Sequence, residues 1–454
     1  MERGASSAEG GPAAAPEPAR VRPSFREALR FWFKLGFIGF GGPSGQIAIL
    51  HDEVVERRRW VSEPRFLHAL NFCMLLPGPE ATQLATYIGW LLHGVRGGVA
   101  AGALFVLPAV FLLLGLSWVY AEHGDVAWIA ALFDGLKPAV LALVIVAVVR
   151  IGSRTLKRPV MWILAAAALF SFRVLHAPFP LVIALAGLVG FVGARAAPRL
   201  FPSASPHAGD GRAAAEAEWE QPDRGATSFG RAARVAAVCL ALWWGPVVLA
   251  GIVRGWDDVL VAEGVFFSKT AVVTFGGAYA VLPYVAQHAV ETHGWLAPHE
   301  MLDGLGLAET NPGPLIMVLQ FVGFLGGWRD PGGLEPWQAG VLAGLMTTWV
   351  TFVPCFLWVL VGAPFVERLR GVRRLEIALS TVTAAVVGVM LNLALWFGYE
   401  ALVPAGADGG RAPDPWAVAT AAAAWWLLQK RRAPTPAVLA GAAAIGLVRL
   451  ALGG

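Results

Sequence analysis

Long apolar stretches separated by short polar ones dominate the chain. Each is long enough for a helix to cross a bilayer core of roughly 30 Å. The stretches lie at about 25–50, 66–92, 98–120, 126–149, 158–176, 178–197, 233–253, 258–286, 299–328, 337–361, 376–398, 413–429 and 434–452. The alternating ten-residue strands of a β-barrel are not visible. The pattern predicts an all-α polytopic membrane protein with about thirteen transmembrane helices.

Composition agrees with a membrane protein and argues against several other classes. Of the 454 residues, 57% are hydrophobic and 15% are charged, whereas soluble proteins average about 25% charged residues. The three cysteines and nine histidines show no metal-ligand spacing, and no nucleophile–base pair or cofactor motif is visible. We therefore expect no enzyme activity, no metal or cofactor, and no nucleic-acid partner.

Two polar stretches divide the chain. Residues 1–23 are expected to form a disordered cytosolic tail and 198–232 a flexible cytosolic linker, because both are polar and poor in aromatic residues. Ser24 and Glu27 have capping-box spacing, which predicts the start of the first helix. The remaining chain divides into a first repeat at 24–197, a linking transmembrane helix at 233–256 and a second repeat at 257–454.

Lysine and arginine positions predict the orientation, since short cytosolic loops carry an excess of both. With thirteen spans, a cytosolic N-terminus and an outer C-terminus place most basic connections inside: Arg20 to Arg30, Arg150 to Arg158, Arg368 to Arg374 and Lys430 to Arg432. The basic loop at 57–59 then falls outside. Either this loop is an exception, or one of the first two segments is re-entrant.

The two halves share a pattern of glycine, proline and lysine. At one offset of 235 residues, three features of the first half meet the same features of the second: Phe40-Gly41-Gly42 and Phe275-Gly276-Gly277, Lys34 and Lys269, Pro77-Gly78-Pro79 and Pro312-Gly313-Pro314. A later match, Pro108 with Pro354, needs an offset of 246. Six apolar segments on each side of the one at 233–253 predict two copies of inverted orientation, an architecture of secondary transporters.

Glycine and proline inside apolar runs interrupt helices where no water is present. Each freed backbone group costs several kcal/mol unless it finds a partner or lines a cavity. A helix that restarts after such a break presents free N–H groups and a positive dipole end, which suit an anion. The sequence therefore predicts broken helices at both Phe-Gly-Gly and both Pro-Gly-Pro motifs, converging on an anion site near the membrane midplane.

Four stretches resemble the signature sequences of the chromate ion transporter family in its long, two-domain form. They are FKLGFIGFGGPSGQIAILHDE (33–53), LPGPEATQLATYIGWLLHG (76–94), FFSKTAVVTFGGAYAVLPYV (266–285) and ETNPGPLIMVLQFVGF (309–324). The resemblance covers nearly the whole chain apart from the tail and linker. It implies export of chromate, a tetrahedral dianion similar to sulfate, across the bacterial inner membrane, and hence chromate resistance. Pro43 and Gln46 have no counterparts at Ala278 and Val281, so the two half-sites differ.

Lys34 and Lys269 are the charged residues that we expect to bind the anion, since each lies six residues before its Phe-Gly-Gly motif. Arg26, Arg30 and Lys34 are spaced four apart and form a basic stripe on one face of the first helix. The alternative for Lys34 is snorkelling of its side chain to the membrane surface.

Acidic residues near the breaks are candidates for proton coupling, because an ionisable residue inside a membrane is a functional candidate by default. Glu80 follows the first Pro-Gly-Pro and either caps the restarted helix or carries a proton. Glu309 lies three residues before the second motif. Asp134 and Lys137 are three residues apart and are expected to pair with each other.

Neutral donors are expected to complete the shell around the anion. These side chains are Gln46, Asn71, Thr82, Gln83, Thr86, Tyr87, Thr310 and Asn311, and they add to the backbone at Gly41, Gly42, Pro43, Pro77, Gly78, Pro79, Gly276, Gly277, Pro312, Gly313 and Pro314.

Other functions remain open from the sequence. A negative-inside potential favours export of a dianion, by about 2.3 kcal/mol per charge per 100 mV, so uniport and proton exchange are both feasible. Import or exchange of sulfate or another oxyanion is a second hypothesis. An anion channel is the alternative from another class, although channels usually build pores from rings of equivalent subunits. The oligomeric state stays open.

Overall fold

The computed structural model describes residues 23–198, 200–201, 229–363, 373–404 and 411–453. These residues form helices, and no strand element occurs among them. Six of the described helices are long and apolar enough to cross a membrane: Glu80–His123, Ala127–Thr155, Phe179–Ala196, Phe229–Arg254, Pro336–Gly362 and Glu376–Leu402. The protein is thus an all-α membrane protein. Residues 1–22 of the expected tail, most of the expected linker, and Arg368 and Arg370 lie outside the described residues.

The described residues of the first half form seven helices. They are α1 (Phe25–Ile38), α2 (Gly42–His51), α3 (Glu63–Cys73), α4 (Glu80–His123), α5 (Ala127–Thr155), α6 (Pro159–Arg173) and α7 (Phe179–Ala196). The Ser24 hydroxyl accepts a hydrogen bond from the Glu27 N–H at 3.2 Å, as the capping spacing predicts. A π-helical turn, Asp52–Arg57, extends α2. In α4, non-helical dihedral angles at His93 and Gly94 separate two arms.

The second half repeats this order of elements after α8 (Phe229–Arg254). The helices are α9 (Val259–Val273), α10 (Ala278–Gln287), α11 (Pro298–Thr310), α12 (Val318–Arg329), α13 (Pro336–Gly362), α14 (Arg373–Leu402), α15 (Pro415–Gln429) and α16 (Thr435–Ala451). A π-helical turn at His288–Thr292 extends α10, and a 3₁₀ turn at Leu315–Met317 precedes α12. The two arms of α4 correspond to the separate helices α12 and α13.

Four of the thirteen apolar segments are pairs of short helices. The pairs are α1 with α2, α3 with the first arm of α4, α9 with α10, and α11 with α12. Glycines in left-handed or extended positive-φ conformations mark the breaks: Gly41, Gly42, Gly78, Gly276, Gly277 and Gly313. The structure therefore does not confirm thirteen spanning helices. Hydropathy measures the length of an apolar run, whereas glycine at positive φ changes the direction of the chain within it.

The helices of a broken pair return to the same end of the molecule. In the first half, Arg58, after the π turn, lies 3.8 Å from Glu27 at the start of α1. The ring nitrogen Nε2 of His93, at the end of the first arm of α4, lies 3.0 Å from the Pro23 carbonyl oxygen. In the second half, Arg329 at the end of α12 donates to the carbonyl of Trp295, which lies between α10 and α11, at 2.8 Å.

Small residues let the two halves pack closely on each other. Helix α5 packs against α15 and α16, and α14 packs against α6 and α7. Gly135 on α5 faces Gly446 on α16, where a Cβ on Gly135 would lie 2.9 Å from the Gly446 nitrogen. A Cβ on Gly388 of α14 would overlap the Ala165 carbonyl of α6. Such contacts between small residues are the usual basis of close helix packing in lipid.

Candidate anion site at the helix breaks

The Pro-Gly-Pro motif of each half is hydrogen-bonded to the Phe-Gly-Gly break of the other half. The Gly78 N–H donates to the Thr274 carbonyl at 2.7 Å, and the Gly313 N–H donates to the Gly39 carbonyl at 3.1 Å. These four positions correspond at the offset of 235 residues, since Gly78 matches Gly313 and Gly39 matches Thr274. The four interruptions thus meet in two reciprocal pairs.

A second pair of contacts follows the same correspondence. A Cβ on Gly313 would lie 2.5 Å from the Ala109 Cβ, and a Cβ on Gly78 would lie 3.0 Å from the Cys355 Sγ. Ala109 and Cys355 each follow a proline inside a long helix, at Pro108 of α4 and Pro354 of α13. Each motif glycine therefore packs against a long helix of the other half, where a larger residue has no room.

Helix N-termini point into this region from both halves. Helix α2 begins at Gly42, the last residue of the first Phe-Gly-Gly motif, α10 begins directly after the second, and α4 begins after Pro79. None of the three has a side-chain cap. The first turn of a helix leaves four N–H groups without intrahelical partners. Glu80 is the first residue of α4 and makes no capping bond, so the capping role considered for it is not observed.

Side-chain amides donate to backbone carbonyls around the breaks. The Gln46 amide donates to the Gly39 carbonyl at 3.0 Å and also to the Gly313 carbonyl. The Gln83 amide donates to the Pro77 carbonyl at 2.7 Å, and the Asn311 amide donates to the Ala109 carbonyl at 3.1 Å. The Pro77 and Gly313 carbonyls lie in the interruptions, which would otherwise leave them without partners in lipid. The Gly39 carbonyl accepts from both the Gly313 N–H and the Gln46 amide.

The remaining polar atoms of these side chains are buried without partners. Gln46 Oε1, Gln83 Oε1 and Asn311 Oδ1 have no hydrogen-bond donor among the described residues, and Thr82 Oγ1 has no partner there either. The amide oxygens only accept hydrogen bonds, whereas the Thr82 hydroxyl also donates. Donors for an anion are therefore the free N–H groups of the helix N-termini, the Thr82 hydroxyl and the second N–H of the Gln83 and Asn311 amides, each of which donates once to the backbone. Both N–H groups of Gln46 already donate to backbone carbonyls.

Several expected site residues lie elsewhere. Lys34 and Lys269 are on exposed faces of α1 and α9, and neither ammonium forms an ion pair with a residue that the structure describes. Asn71 is exposed on α3. Tyr87 is buried against Phe72, with ring centroids 5.6 Å apart. The hydroxyls of Thr86 and Thr310 donate to carbonyls of their own helices, those of Thr82 and Leu307.

Glu309 and the Asp134–Lys137 pair each contact a polar residue that the sequence did not indicate. The buried carboxylate of Glu309 accepts a hydrogen bond from Tyr279, in the first turn of α10. Lys137 lies 2.8 Å from Asp134, and its ammonium is also 3.8 Å from the buried carboxylate of Asp303 on α11. The Tyr120 hydroxyl donates to Asp303 at 2.8 Å. Asp303 is one of three acidic residues of α11, with Glu300 and Glu309, and its position inside an apolar segment was the available signal.

A cavity of about 100 Å³ opens at the end of α10 away from the break. Its polar lining includes Arg173, Gln287 and Asn392, contributed by α6, α10 and α14. Helix α10 begins at the second Phe-Gly-Gly break, in the candidate site, and ends at this cavity. The helix therefore connects the candidate site to a polar cavity.

A helical membrane protein whose interrupted helices meet between two matching halves has the construction of a multi-pass transporter. The chain belongs to the chromate transporter family, whose model matches residues 26–191 and 263–447. The resemblance seen in the four signature stretches is thereby confirmed.

Relatives extend over most of the chain. It is 32% identical over 375 residues to a chromate transport protein of Pseudomonas aeruginosa, covering 81% of this chain and 79% of the relative. It is 23% identical to a chromate transport protein of Cupriavidus metallidurans, covering 94% and 93%. It is 25% identical to a probable chromate transport protein of Synechococcus elongatus, covering 84% and 86%. No solved structure matches the chain.

Proposed function

We propose that this protein is a secondary transporter that exports chromate across the bacterial inner membrane and so confers chromate resistance. The observation that carries the proposal is the reciprocal pairing of the four helix breaks, Gly78 with Thr274 and Gly313 with Gly39. This pairing gathers several helix N-termini at one place inside an apolar protein. A tetrahedral dianion needs many N–H donors more than it needs full neutralisation by cations.

The proposed path alternates between the two reciprocal pairs. Opening the Gly78–Thr274 contact while Gly313–Gly39 stays closed exposes the site to one side, and the converse exposes it to the other. Each contact is a single backbone hydrogen bond that contributes about 1 kcal/mol net. Breaking one while forming the other therefore changes the free energy of the protein little. The prolines beside each glycine keep these segments from forming continuous helix.

We infer that the two halves have inverted orientation and that each broken pair is re-entrant. The second arm of α4, α5, α6, α7 and α8 then give five crossings between the halves, and an odd number inverts the second half. Because α1 and α2 return to the same end, the basic loop at 57–59 joins Arg26 and Arg30 on the cytosolic side. This arrangement removes the one disagreement with the positive-inside pattern and keeps the C-terminus outside.

Charged residues near the path are assigned supporting roles. Lys34 and Lys269 attract the dianion along the exposed faces of α1 and α9. Glu80 and Glu309 are candidates for proton exchange, because an ionised carboxylate beside the breaks repels the substrate and a protonated one does not. The Asp134–Lys137 pair belongs to the same group of candidates.

Counterflow in proteoliposomes tests the proposal. Vesicles loaded with unlabelled chromate are expected to accelerate uptake of labelled chromate, because a carrier returns faster when loaded. Flux without this trans-stimulation indicates a channel and contradicts the proposal. Sulfate as the internal anion provides the second arm: stronger stimulation by sulfate than by chromate identifies a sulfate importer or exchanger instead. Protein-free vesicles are the control.

A further inference from the structure

Glu263 is a fully buried carboxylic acid in the second half. It lies on α9 between Asp258, which caps that helix, and the Phe-Gly-Gly break at its other end. The residue is 0% exposed. It lies about 7 Å along the helix from Asp258. Helices α8, α12 and α13 pack against α9.

The carboxyl group has little polar support. Its Oε2 accepts a hydrogen bond from the Thr347 hydroxyl at 3.3 Å, and its Oε1 has no partner among the described residues. No described cation lies within ion-pair distance. Burying an unpaired carboxylate ion costs far more than burying the neutral acid. The group is therefore stable here only when it holds a proton.

The surrounding titratable groups do not change this conclusion. Asp258 faces the same region from the start of α9, but Arg254 of α8 already pairs with it at 2.8 Å. His293 is stacked on the ring of Trp295, with ring centroids 4.2 Å apart. Among the described residues, α12 and α13 face Glu263 with glycines and with Thr347, none of which titrates.

Two glycines of α12 make room for the carboxyl group. A Cβ on Gly323 would lie 3.0 Å from Oε2, and a Cβ on Gly326 would overlap Oε1. The corresponding residues of the first half, at the offset of 235, are Ala28, Ile88 and Leu91. The niche is thus not a packing device repeated in both halves. One half alone has an acid and the two glycines that accommodate it.

The walls of this niche are helices that lead to the breaks. Helix α9 ends at Val273, just before the second Phe-Gly-Gly, and α12 follows the second Pro-Gly-Pro through the 3₁₀ turn. A movement at the breaks that displaces α12 relative to α9 would open the niche of Glu263 to water.

We propose that Glu263 is a proton-binding site whose proton exchanges with water once in each transport cycle. The inference rests on the proposed function, because it couples the proton to movement of the oxyanion. The carboxylate takes a proton from water while the site is open to the outer side and the dianion leaves there, and it releases the proton to water while the site is open to the cytosol. No bond other than O–H is made or broken.

Proton and chromate fluxes measured together test this proposal. The full chain is reconstituted in liposomes that contain a pH-sensitive dye, with the membrane potential clamped. The wild type is expected to move protons against chromate. Glu263→Gln, which mimics the protonated acid in shape and charge, is expected to move chromate while proton flux falls to that of protein-free liposomes. Glu122→Gln, at an exposed acid, is the matched control and is expected to keep both fluxes.

Different outcomes separate the two proposals. A Glu263→Gln protein with the wild-type ratio of protons to chromate overturns the role of Glu263, and so does a wild type that moves chromate without protons. A wild type that moves no chromate contradicts the proposed function instead. Infrared spectroscopy gives an independent reading: a protonated carboxyl band at neutral pH, lost in Glu263→Gln, is expected. Absence of that band in the wild type also overturns the proposal.

Discussion

The close approach of Gly313 to α4 predicts a graded effect of adding one methyl group at different glycines. Gly313 has φ +137°, and its added Cβ would lie 2.5 Å from the Ala109 Cβ. Backbone strain in this region costs an ordinary residue about 1–3 kcal/mol, and overpacking a tight contact costs about 1–3 kcal/mol. Gly313→Ala is therefore expected to destabilise the protein by about 2–6 kcal/mol.

Two matched glycines separate these contributions. Gly277 has φ +90°, and nothing lies within 4 Å of its added Cβ, so Gly277→Ala is expected to cost only the strain of about 1–3 kcal/mol. Gly115 lies inside α4 with nothing within 4 Å. Gly115→Ala is expected to be neutral or to stabilise the helix by about 0.5–1 kcal/mol.

Thermal unfolding in detergent, followed by tryptophan fluorescence, measures the order of the three variants, and chromate counterflow measures the consequence for transport. The midpoint is expected to fall most for Gly313→Ala, less for Gly277→Ala and not at all for Gly115→Ala. Equal midpoints for Gly313→Ala and Gly115→Ala would refute the close approach of the second Pro-Gly-Pro to α4. Equal losses at Gly313 and Gly277 would show that the contact with Ala109 contributes nothing.

Three further predictions concern topology, the amide network and the lysines. Glu56→Cys and Glu291→Cys lie at corresponding exposed positions; in intact cells, an impermeant thiol reagent is expected to label only Glu291→Cys. Gln46→Val removes the side-chain donor of the Gly39 and Gly313 carbonyls; because Gly39 keeps its bond from the Gly313 N–H, the expected cost is about 1–3 kcal/mol, read as a lower unfolding midpoint. Lys34→Ala and Lys269→Ala are each expected to reduce chromate resistance at unchanged protein level in membranes.

Each of these has a contradicting result. If only Glu56→Cys is labelled from outside, the broken pairs cross the membrane and are not re-entrant, because a topology with thirteen crossings places the loop that contains Glu56 outside. A wild-type unfolding midpoint for Gln46→Val would mean that the amide does not support the breaks. Full resistance in both lysine variants would remove these residues from the substrate path.

Local sequence was sufficient for the features that depend on neighbouring residues. Ser24 begins α1, and glycines at positive φ end the short helices, because capping and backbone freedom are properties of one or two residues. The register of the repeat could also be read directly, and it predicted which glycines and prolines would correspond. The Lys137–Asp134 contact followed from helical spacing alone.

Contacts between distant segments were decided only by the packed chain. Nothing in the sequence indicated that the Gly78 N–H donates to the Thr274 carbonyl. Nor did it indicate that the Gln46 amide donates to carbonyls of both halves. Asp303 and Glu263 lie in apolar segments, and their surroundings come from residues far along the chain. Hydropathy and spacing depend only on residues that are close in the sequence. The direction in which a broken helix returns, and the groups that meet there, depend on how the two halves pack against each other.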